Sequence, residues 1–292
     1  MAGLVRALNL IRDTIPPRTA KRRVVALLRV VRLTCTVATN AELMSDLSSA
    51  LSRGQIFAAF QPQINLADGS IGAAEVLCRW RHPRHGLVSP EQFIPLAEET
   101  GAIAAIGRSM LDQGFRALTA WRRRGLPIDV SVNVSPVQLS TGDLVEHLAE
   151  RIEEHPLPAG ALTVEVTETR PLRNFADTVS RLRSLRDLGI GVALDDFGAG
   201  HASPKHLEEL PITEVKLDRT LIQSASESKR HELADRLRGA RARNLRIVAE
   251  GVETLSHLKR AKELLCDRAQ GFLLGRPMDF SSFDALLVES PG

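Results

Sequence analysis

Oxygen-bearing side chains directly follow several short apolar runs of this chain. An apolar run bounded by turn residues is typical of a buried strand. A carboxylate beside buried apolar residues is unfavourable unless it is paired or binds a cation. Oxygen donors suit Mg²⁺ or Mn²⁺, whereas zinc prefers nitrogen and sulfur. The residues in these positions are Glu75, Asn133, Glu165, Asp195, Asp196 and Glu250.

Their spacing favours in-line displacement at phosphorus. Asp195 and Asp196 are adjacent, so their carboxylates could point to two different ions. Two divalent ions about 3.5–4 Å apart stabilise both the attacking and the leaving oxygen of such a reaction. Lys216 follows Glu214-Val215 and could hold the attacking hydroxide or stabilise developing negative charge. Glu250 could bind the second ion or accept the proton of the water.

Strands and helices alternate along the chain and must position these residues. The predicted strands are Ile56–Leu66, Ile71–Trp80 and segments near 127–134, 161–167, 190–195, 213–217, 246–250 and 268–274. The predicted helices are Glu42–Ser52, helical periodicity over Pro90–Arg123, and segments near 143–154, 173–188, 203–209, 225–243 and 254–265, with a loop over Arg81–Pro90. This alternation predicts a mainly parallel sheet. Eight strands favour a closed (β/α)8 barrel, whose active site lies at the C-terminal ends of the strands. No Gly-rich dinucleotide fingerprint follows a strand, which counts against a Rossmann fold.

Composition limits the possible functions. The chain has 292 residues, 43% of them hydrophobic, and a net charge of only +3, which does not predict binding to duplex nucleic acid. Residues 1–35 contain eight Arg or Lys and one Asp, so the remainder is net negative. The three cysteines are widely spaced and predict no disulfide, which favours a cytoplasmic protein. No apolar run approaches the roughly 20 residues that span a bilayer.

Residues 1–40 differ from the rest, and we predict a basic N-terminal extension there and one barrel domain over residues 41–288. After Pro16-Pro17, residues 18–33 read as an amphipathic helix with arginines on one face. Such a helix can lie on an anionic membrane, here the inner membrane, or bind a protein partner. The alternatives are a helix packed on the barrel, or disordered residues added by a misassigned start codon.

Nine segments, in order, closely resemble the EAL domain family of cyclic di-GMP phosphodiesterases. They are Phe60-Gln-Pro-Gln63, Glu75-Val-Leu-Cys-Arg-Trp80, Phe93-Ile-Pro-Leu-Ala-Glu98, Ser131-Val-Asn-Val-Ser135 with Gln138-Leu139, Val164-Glu-Val-Thr-Glu168, Leu194-Asp-Asp-Phe-Gly198, Val215-Lys-Leu-Asp-Arg219, Ala249-Glu-Gly-Val-Glu253 and Asp267-Arg-Ala-Gln-Gly271. The match covers roughly residues 41–285. Each motif alone is weak to moderate, but nine in this order are highly specific.

The resemblance implies a TIM-like barrel whose first strand runs antiparallel to the others. It implies hydrolysis of cyclic di-GMP to the linear dinucleotide pGpG, which lowers the level of a bacterial second messenger. It also implies two Mg²⁺ or Mn²⁺ ions per site and a homodimer. Four residues match the family's ligands of the first ion by position: Glu75, Asn133, Glu165 and Asp195. Three match the ligands of the second ion: Asp195, Asp196 and Glu250.

The remaining roles are also implied by position. Lys216 resembles the residue that orients the attacking water, and Glu250 resembles the general base. Gln61, Arg79 and Gln270 resemble substrate-binding or site-shaping residues. Glu168 resembles a residue that supports the neighbouring loop, and Glu253 one that supports Glu250.

The chain departs from the family pattern at two places. The signature Glu-Ala-Leu reads Glu75-Val76-Leu77, which keeps the ligand. In the loop of residues 197–204, Ala199, His201, Ala202 and Pro204 replace the usual residues. In the family this loop couples dimerisation to placement of the second ion. The alternative function is therefore a catalytically weakened domain that binds cyclic di-GMP or a protein partner. Another metal-dependent phosphoesterase is a third hypothesis, which the matching Gln61 and Arg79 disfavour.

Overall fold

The computed structural model of the chain describes residues 40–140, 143–167, 175–198, 209–223, 233 and 237–289. The chain divides into one unit of residues 1–49 and a second of residues 50–292. Helix α1 begins at residue 40 and ends at residue 50. The predicted basic helix over residues 18–33 lies outside the described residues.

The described residues of the second unit contain nine strands, and all of them except the third form a closed barrel of eight. The strands are β1 (Ile56–Asn65), β2 (Ile71–His82), β3 (Gly86–Val88), β4 (Asp129–Asn133), β5 (Leu162–Thr167), β6 (Gly191–Phe197), β7 (Glu214–Leu217), β8 (Arg246–Ala249) and β9 (Arg268–Ala269). Their order is β1-β9-β8-β7-β6-β5-β4-β2-β3, and pairing of β1 with β2 closes the ring. Strand β1 is antiparallel to both β2 and β9, whereas the ring pairs from β2 through β4 to β9 are parallel. The predicted TIM-like barrel with an antiparallel first strand is therefore confirmed.

Helices follow most of the parallel strands. They are α2 (Pro90–Thr100), α3 (Ile103–Arg123), α4 (Pro136–Ser140), α5 (Asp143–Glu154), α6 (Phe175–Asp187), α7 (Arg219–Gln223), α8 (residues 237–242), α9 (Leu255–Glu263) and α10 (Phe280–Glu289). Among the described helices, none combines the length and the apolar character that a bilayer crossing requires.

Three predicted boundaries were wrong for local reasons. Part of the predicted loop over Arg81–Pro90 is a hairpin, because β2 continues to His82 and β3 pairs back on it through a turn that ends at Gly86, with φ of 69°. The helical run after Pro90 breaks at Gly101, whose φ of 77° ends α2. The last strand stops at Ala269, because the next turn brings Gly271 against the backbone of Val252. Most of the helices predicted near 203–209 and 225–243 lies outside the described residues.

The strands direct polar side chains into the barrel and apolar side chains outwards against the helices. In β7, Val215 and Leu217 alternate with Glu214 and Lys216, and all four are buried. Side chains alternate across a strand, so the apolar pair faces the surrounding helices and the charged pair faces the barrel axis. Glu214 is held there by Arg246, with 3.1 Å between Oε2 and Nη1. The ion pair of Glu214 and Arg246 therefore lies inside the barrel, beneath the predicted site.

Candidate metal centre

Lys216 lies at the centre of the predicted site. Its ammonium nitrogen is 2.6 Å from Glu250 Oε1 and 2.7 Å from Glu165 Oε2. It is also 3.4 Å from Glu75 Oε2 and 3.5 Å from Asp195 Oδ1. Strands β2, β5, β6 and β7 and the residue after β8 each contribute one member of this group. Chain segments far apart in sequence therefore converge at one point, as the barrel requires.

Glu75 is held by amides on both sides. It lies inside β2 and not at its end, opposite Gln61 of β1. Asn133 Nδ2 donates to Glu75 Oε1 at 2.7 Å, and Gln270 Nε2 donates to Glu75 Oε2 at 2.5 Å. Gln270 also donates to Gln61 Oε1 at 3.0 Å, and Gln61 donates to the Gly275 carbonyl at 2.9 Å. This chain of amides fixes the orientation of the Glu75 carboxylate.

A bulge in β6 directs two successive carboxylates towards the site. The register between β6 and β7 shifts between Leu194 and Phe197. Within the bulge, Asp196 has φ of 56°, in the left-handed region that Asp tolerates better than most residues. Its backbone N–H donates to Asp195 Oδ1 at 2.9 Å. Bulges re-aim side chains, and here one carboxylate oxygen each of Asp195, Asp196 and Glu250 lies within 4.8 Å of the others.

The group carries more negative than positive charge. Burial is the largest influence on Glu165, and it raises the pKa of that carboxyl well above its usual range, with Glu75 adding to the effect. Burial likewise raises the pKa of Glu250, to about 8, although Lys216 opposes it. Burial opposes the charge on Glu75 too, but Lys216, Gln270 and Asn133 together hold its pKa below the usual value. The pKa of Lys216 is raised well above its usual value because the surrounding carboxylates outweigh its burial.

The donor set fits a divalent cation. Glu165 is 1% exposed, and its Oε1 has no hydrogen-bond partner among the described residues. A buried carboxylate oxygen without a partner is unfavourable, and a cation would satisfy it. Glu75, Glu165, Asp195, Asp196 and Glu250 supply carboxylate oxygens, which hard divalent ions prefer. A single lysine cannot neutralise all of them.

A cleft of about 610 Å³ opens above this group. That size is within the usual range for ligand sites. The predicted residues that line it include Gln61, Glu75, Asn133, Asp195, Glu250 and Gln270, together with Arg79. Arg79 is half-buried, and its Nη1 donates to the Cys78 carbonyl at 2.9 Å. Thus most of the predicted residues border one accessible space.

The structure does not assign a contact to the carboxylate of either predicted supporting residue, Glu168 or Glu253. Glu253 is exposed at the edge of the cleft, and its carboxylate has no hydrogen bond or ion pair among the described residues. Glu168 lies outside the described residues, as do the substituted loop positions 199–204. The roles assigned to all of these residues stay predictions.

Arg219 also borders the site, although the sequence motifs did not predict it as a site residue. It directly follows Asp218, is the first residue of α7 and lines the cleft. The signal available in the sequence was a positive charge two residues beyond the end of β7. Phe272 also lines the cleft and is 51% exposed, consistent with a place at the barrel mouth.

A sequence model of one protein family, the EAL domain, matches residues 44–277. MucR of Pseudomonas aeruginosa, a bifunctional diguanylate cyclase and cyclic di-GMP phosphodiesterase, is 38% identical over 240 residues, which are 81% of this chain and 35% of MucR. RocR of the same organism, a cyclic di-GMP phosphodiesterase, is 35% identical over 247 residues, which are 83% of this chain and 63% of RocR. The chain therefore spans about a third of the length of MucR and less than two thirds of that of RocR.

Solved structures agree with these similarities. The MucR phosphodiesterase in complex with cyclic di-GMP superposes with a TM-score of 0.78 at 37% identity, covering 83% of this chain and 99% of that one. The EAL domain of DcpA from Mycobacterium smegmatis superposes with a TM-score of 0.67 at 30% identity, covering 82% and 98%.

Proposed function

Because the chain belongs to the EAL domain family, we propose that it hydrolyses cyclic di-GMP to the linear dinucleotide pGpG. We propose that the reaction depends on two divalent ions, Mg²⁺ or Mn²⁺, and lowers the level of a bacterial second messenger. Relatives named as cyclic di-GMP phosphodiesterases support the substrate class.

One observation carries this proposal. Four carboxylates surround the buried Lys216 ammonium within 3.5 Å, and one of them retains an unpartnered buried oxygen. A purely structural ion pair would need fewer acids. The excess of oxygen donors beneath an open cleft supports a cation-dependent site.

The ions would be held by the residues assigned from the family pattern. The first would lie among Glu75, Asn133, Glu165 and Asp195, and the second among Asp195, Asp196 and Glu250. When bound, such ions supply Lewis-acid activation and stabilise negative charge on phosphoryl oxygens. Asn133 donates to Glu75 through Nδ2, so its oxygen is the atom available to a cation.

The side chains of the site have separate proposed roles in charge stabilisation, proton transfer and binding. Lys216 places a fixed positive charge where negative charge develops, and its burial strengthens that interaction. Glu250 is the proposed proton acceptor, because its carboxylate borders the cleft and lies 2.6 Å from the Lys216 ammonium. Gln270 and Gln61 keep Glu75 in place, and Arg79 supplies a guanidinium to the substrate phosphates from the β2 side.

The test is hydrolysis of cyclic di-GMP by the purified chain with Mg²⁺ or Mn²⁺, with a chelator as control and chromatography of the products. We expect pGpG only when metal is present. The Glu250→Gln variant should lose turnover, whereas Glu153→Gln, which changes an exposed glutamate of α5, should retain it. Turnover in chelator, or in Glu250→Gln, would contradict the assigned roles.

The same assay separates the alternative function. A folded protein that binds cyclic di-GMP and metal without producing pGpG would be a binding module. In that case Ala199→Thr combined with His201→Tyr should restore turnover if the loop is responsible.

The sequence also supports three further proposals. They are dimerisation, a domain boundary at residue 41, and contact of residues 18–33 with the inner membrane or a protein. Light scattering and vesicle flotation, comparing the full chain with residues 41–288, would test them.

A further inference from the structure

Arg219 places a second guanidinium on the cleft, away from Arg79. Both side chains line the same space of about 610 Å³. Arg79 belongs to β2, and Arg219 follows β7. In the ring β1-β9-β8-β7-β6-β5-β4-β2, strands β2 and β7 are four positions apart, so they lie across the barrel from each other. The acidic group therefore has one arginine on each side.

The backbone near Arg219 is tied to the acidic group. Gly251 directly follows Glu250 and has φ of 64°. A Cβ added to Gly251 would lie 2.4 Å from Arg219 Cβ, so α7 packs against this turn without an intervening side chain. Gln223 Nε2 donates to the Gly251 carbonyl at 3.0 Å, which holds the other end of α7 to the same turn. Arg219 is thus fixed close to the proposed general base.

Local structure does not explain the charge of Arg219. No carboxylate of the described residues forms an ion pair with its exposed guanidinium. Arginine is the residue best suited to bind phosphate, because its planar fork makes two parallel hydrogen bonds.

We propose that Arg219 binds a phosphate group of the cyclic dinucleotide, from the side of the cleft opposite Arg79. This inference depends on the proposed function, because it takes cyclic di-GMP as the substrate. A cyclic dinucleotide carries two phosphates, and two guanidiniums on opposite walls provide a counterion for each. Arg219 is therefore a substrate-binding residue, and it has no part in the chemical step.

The first test is steady-state kinetics with cyclic di-GMP and Mn²⁺. We expect Arg219→Gln to raise KM about tenfold, the loss of one charge-assisted hydrogen bond, with kcat changed less than about twofold. Arg219→Lys should recover part of the loss, since it keeps the charge but not the fork. Arg183→Gln, which changes an exposed arginine of α6 outside the cleft, should match the original chain. An unchanged KM in Arg219→Gln would overturn the inference, and so would a fall in kcat alone.

Binding measured without turnover separates this inference from the proposed function. Calorimetry would follow cyclic di-GMP binding to Glu250→Gln and to Glu250→Gln/Arg219→Gln, both with Mg²⁺. Tighter binding to the first, by about tenfold, supports the role of Arg219. Equal binding to both overturns that role while the proposed ligand stands. No binding to either, together with no hydrolysis by the original chain, would reject the proposed function and this inference with it.

Discussion

The Lys216 ammonium lies 2.6 Å from Glu250 Oε1 inside the barrel mouth, and its side chain is only 1% exposed. The lysine is thus an internal counterion for a carboxylate that is also the proposed general base. Removing the lysine would raise the pKa of Glu250 further, because Lys216 opposes the effect of burial on that carboxyl.

Replacing Lys216 with Met should therefore affect both activity and stability. Met keeps most of the aliphatic volume but leaves Glu75, Glu165 and Glu250 without their cation. We expect turnover to fall at least about 100-fold and the metal-free protein to lose about 3 kcal/mol of unfolding free energy. Urea unfolding with chelator and the hydrolysis assay would measure these effects. Lys262→Met, an exposed lysine of α9, is the control, and equal stability of the two variants would contradict the argument.

Glu165→Gln should separate metal binding from folding. Burial and Glu75 already raise the pKa of Glu165, so a neutral amide removes unfavourable charge from the metal-free cluster. We expect the metal-free variant to be at least as stable as the original chain, but its Mn²⁺ affinity to fall about tenfold or more. Calorimetric titration with Mn²⁺ and thermal unfolding in chelator would test both parts. A variant that binds Mn²⁺ normally would show that the unpartnered Oε1 is not a ligand.

Metal affinity should rise with pH. In the metal-free protein the pKa of Glu250 is raised to about 8, mainly by burial. A cation must displace that proton, so the apparent Mn²⁺ affinity should increase as the pH rises towards 8. The same shift affects the stability of the metal-free protein. As the pH rises from 4.5, the ordinary pKa of the carboxyl, to about 8, the contribution of Glu250 to the unfolding free energy decreases, because only the folded state keeps the proton in that range. Mn²⁺ titrations from pH 6 to 9 would detect this, and a flat profile would contradict it.

The left-handed conformation of Asp196 predicts an ordering of substitutions. At φ of 56°, a side chain without a compensating hydrogen bond is strained, whereas glycine is not. We expect Asp196→Gly to be more stable than Asp196→Ala by about 1 kcal/mol, although both lose a proposed metal ligand. Chemical unfolding in chelator compares the two. If Ala were the more stable, the bulge would not be held in this conformation in solution.

The described cysteines should be unreactive in the native protein. Burial raises the pKa of Cys78 to about 12 and that of Cys266 to about 12. In a Cys35→Ser background, labelling by a disulfide reagent at pH 8 should be about 1000-fold slower than in denatured protein, because the thiolate is the reactive form. Cys78 borders the cleft, so rapid native labelling there would indicate that the cleft wall opens.

The sequence predicted the barrel because its signals are local and repeated. Apolar runs ending in Asn133, Glu165 and Asp195 predicted strands and candidate ligands together, and β4, β5 and β6 contain these residues. The strand predicted over Ile71–Trp80 already contained Glu75, but its end was placed two residues early, since periodicity does not mark where a strand ends. Glu75 lies four residues into β2, which continues to His82.

Other features depend on tertiary contacts that no local pattern encodes. The bulge at Asp195-Asp196 is a register shift between two strands, which single-strand periodicity cannot show. The short β9 ends early because Gly271 must pass the backbone of Val252. The position of Arg219 across the barrel from Arg79 depends on the order of the strands in the ring, which no local pattern encodes.

The antiparallel first strand has a consequence for the order of folding. Strand β1 pairs with its sequence neighbour β2 along nine residue pairs, but it meets β9 through only two, Ile64 with Ala269 and Asn65 with Arg268. The long ladder is local, whereas the short one closes a loop of about two hundred residues, and such contacts form late. Gln270, which anchors Glu75, directly follows that seam. The acidic group is therefore completed by the last strand and the residue that follows it. A nascent or truncated protein that ends before β9 has most of its strands but lacks the amide that orients Glu75.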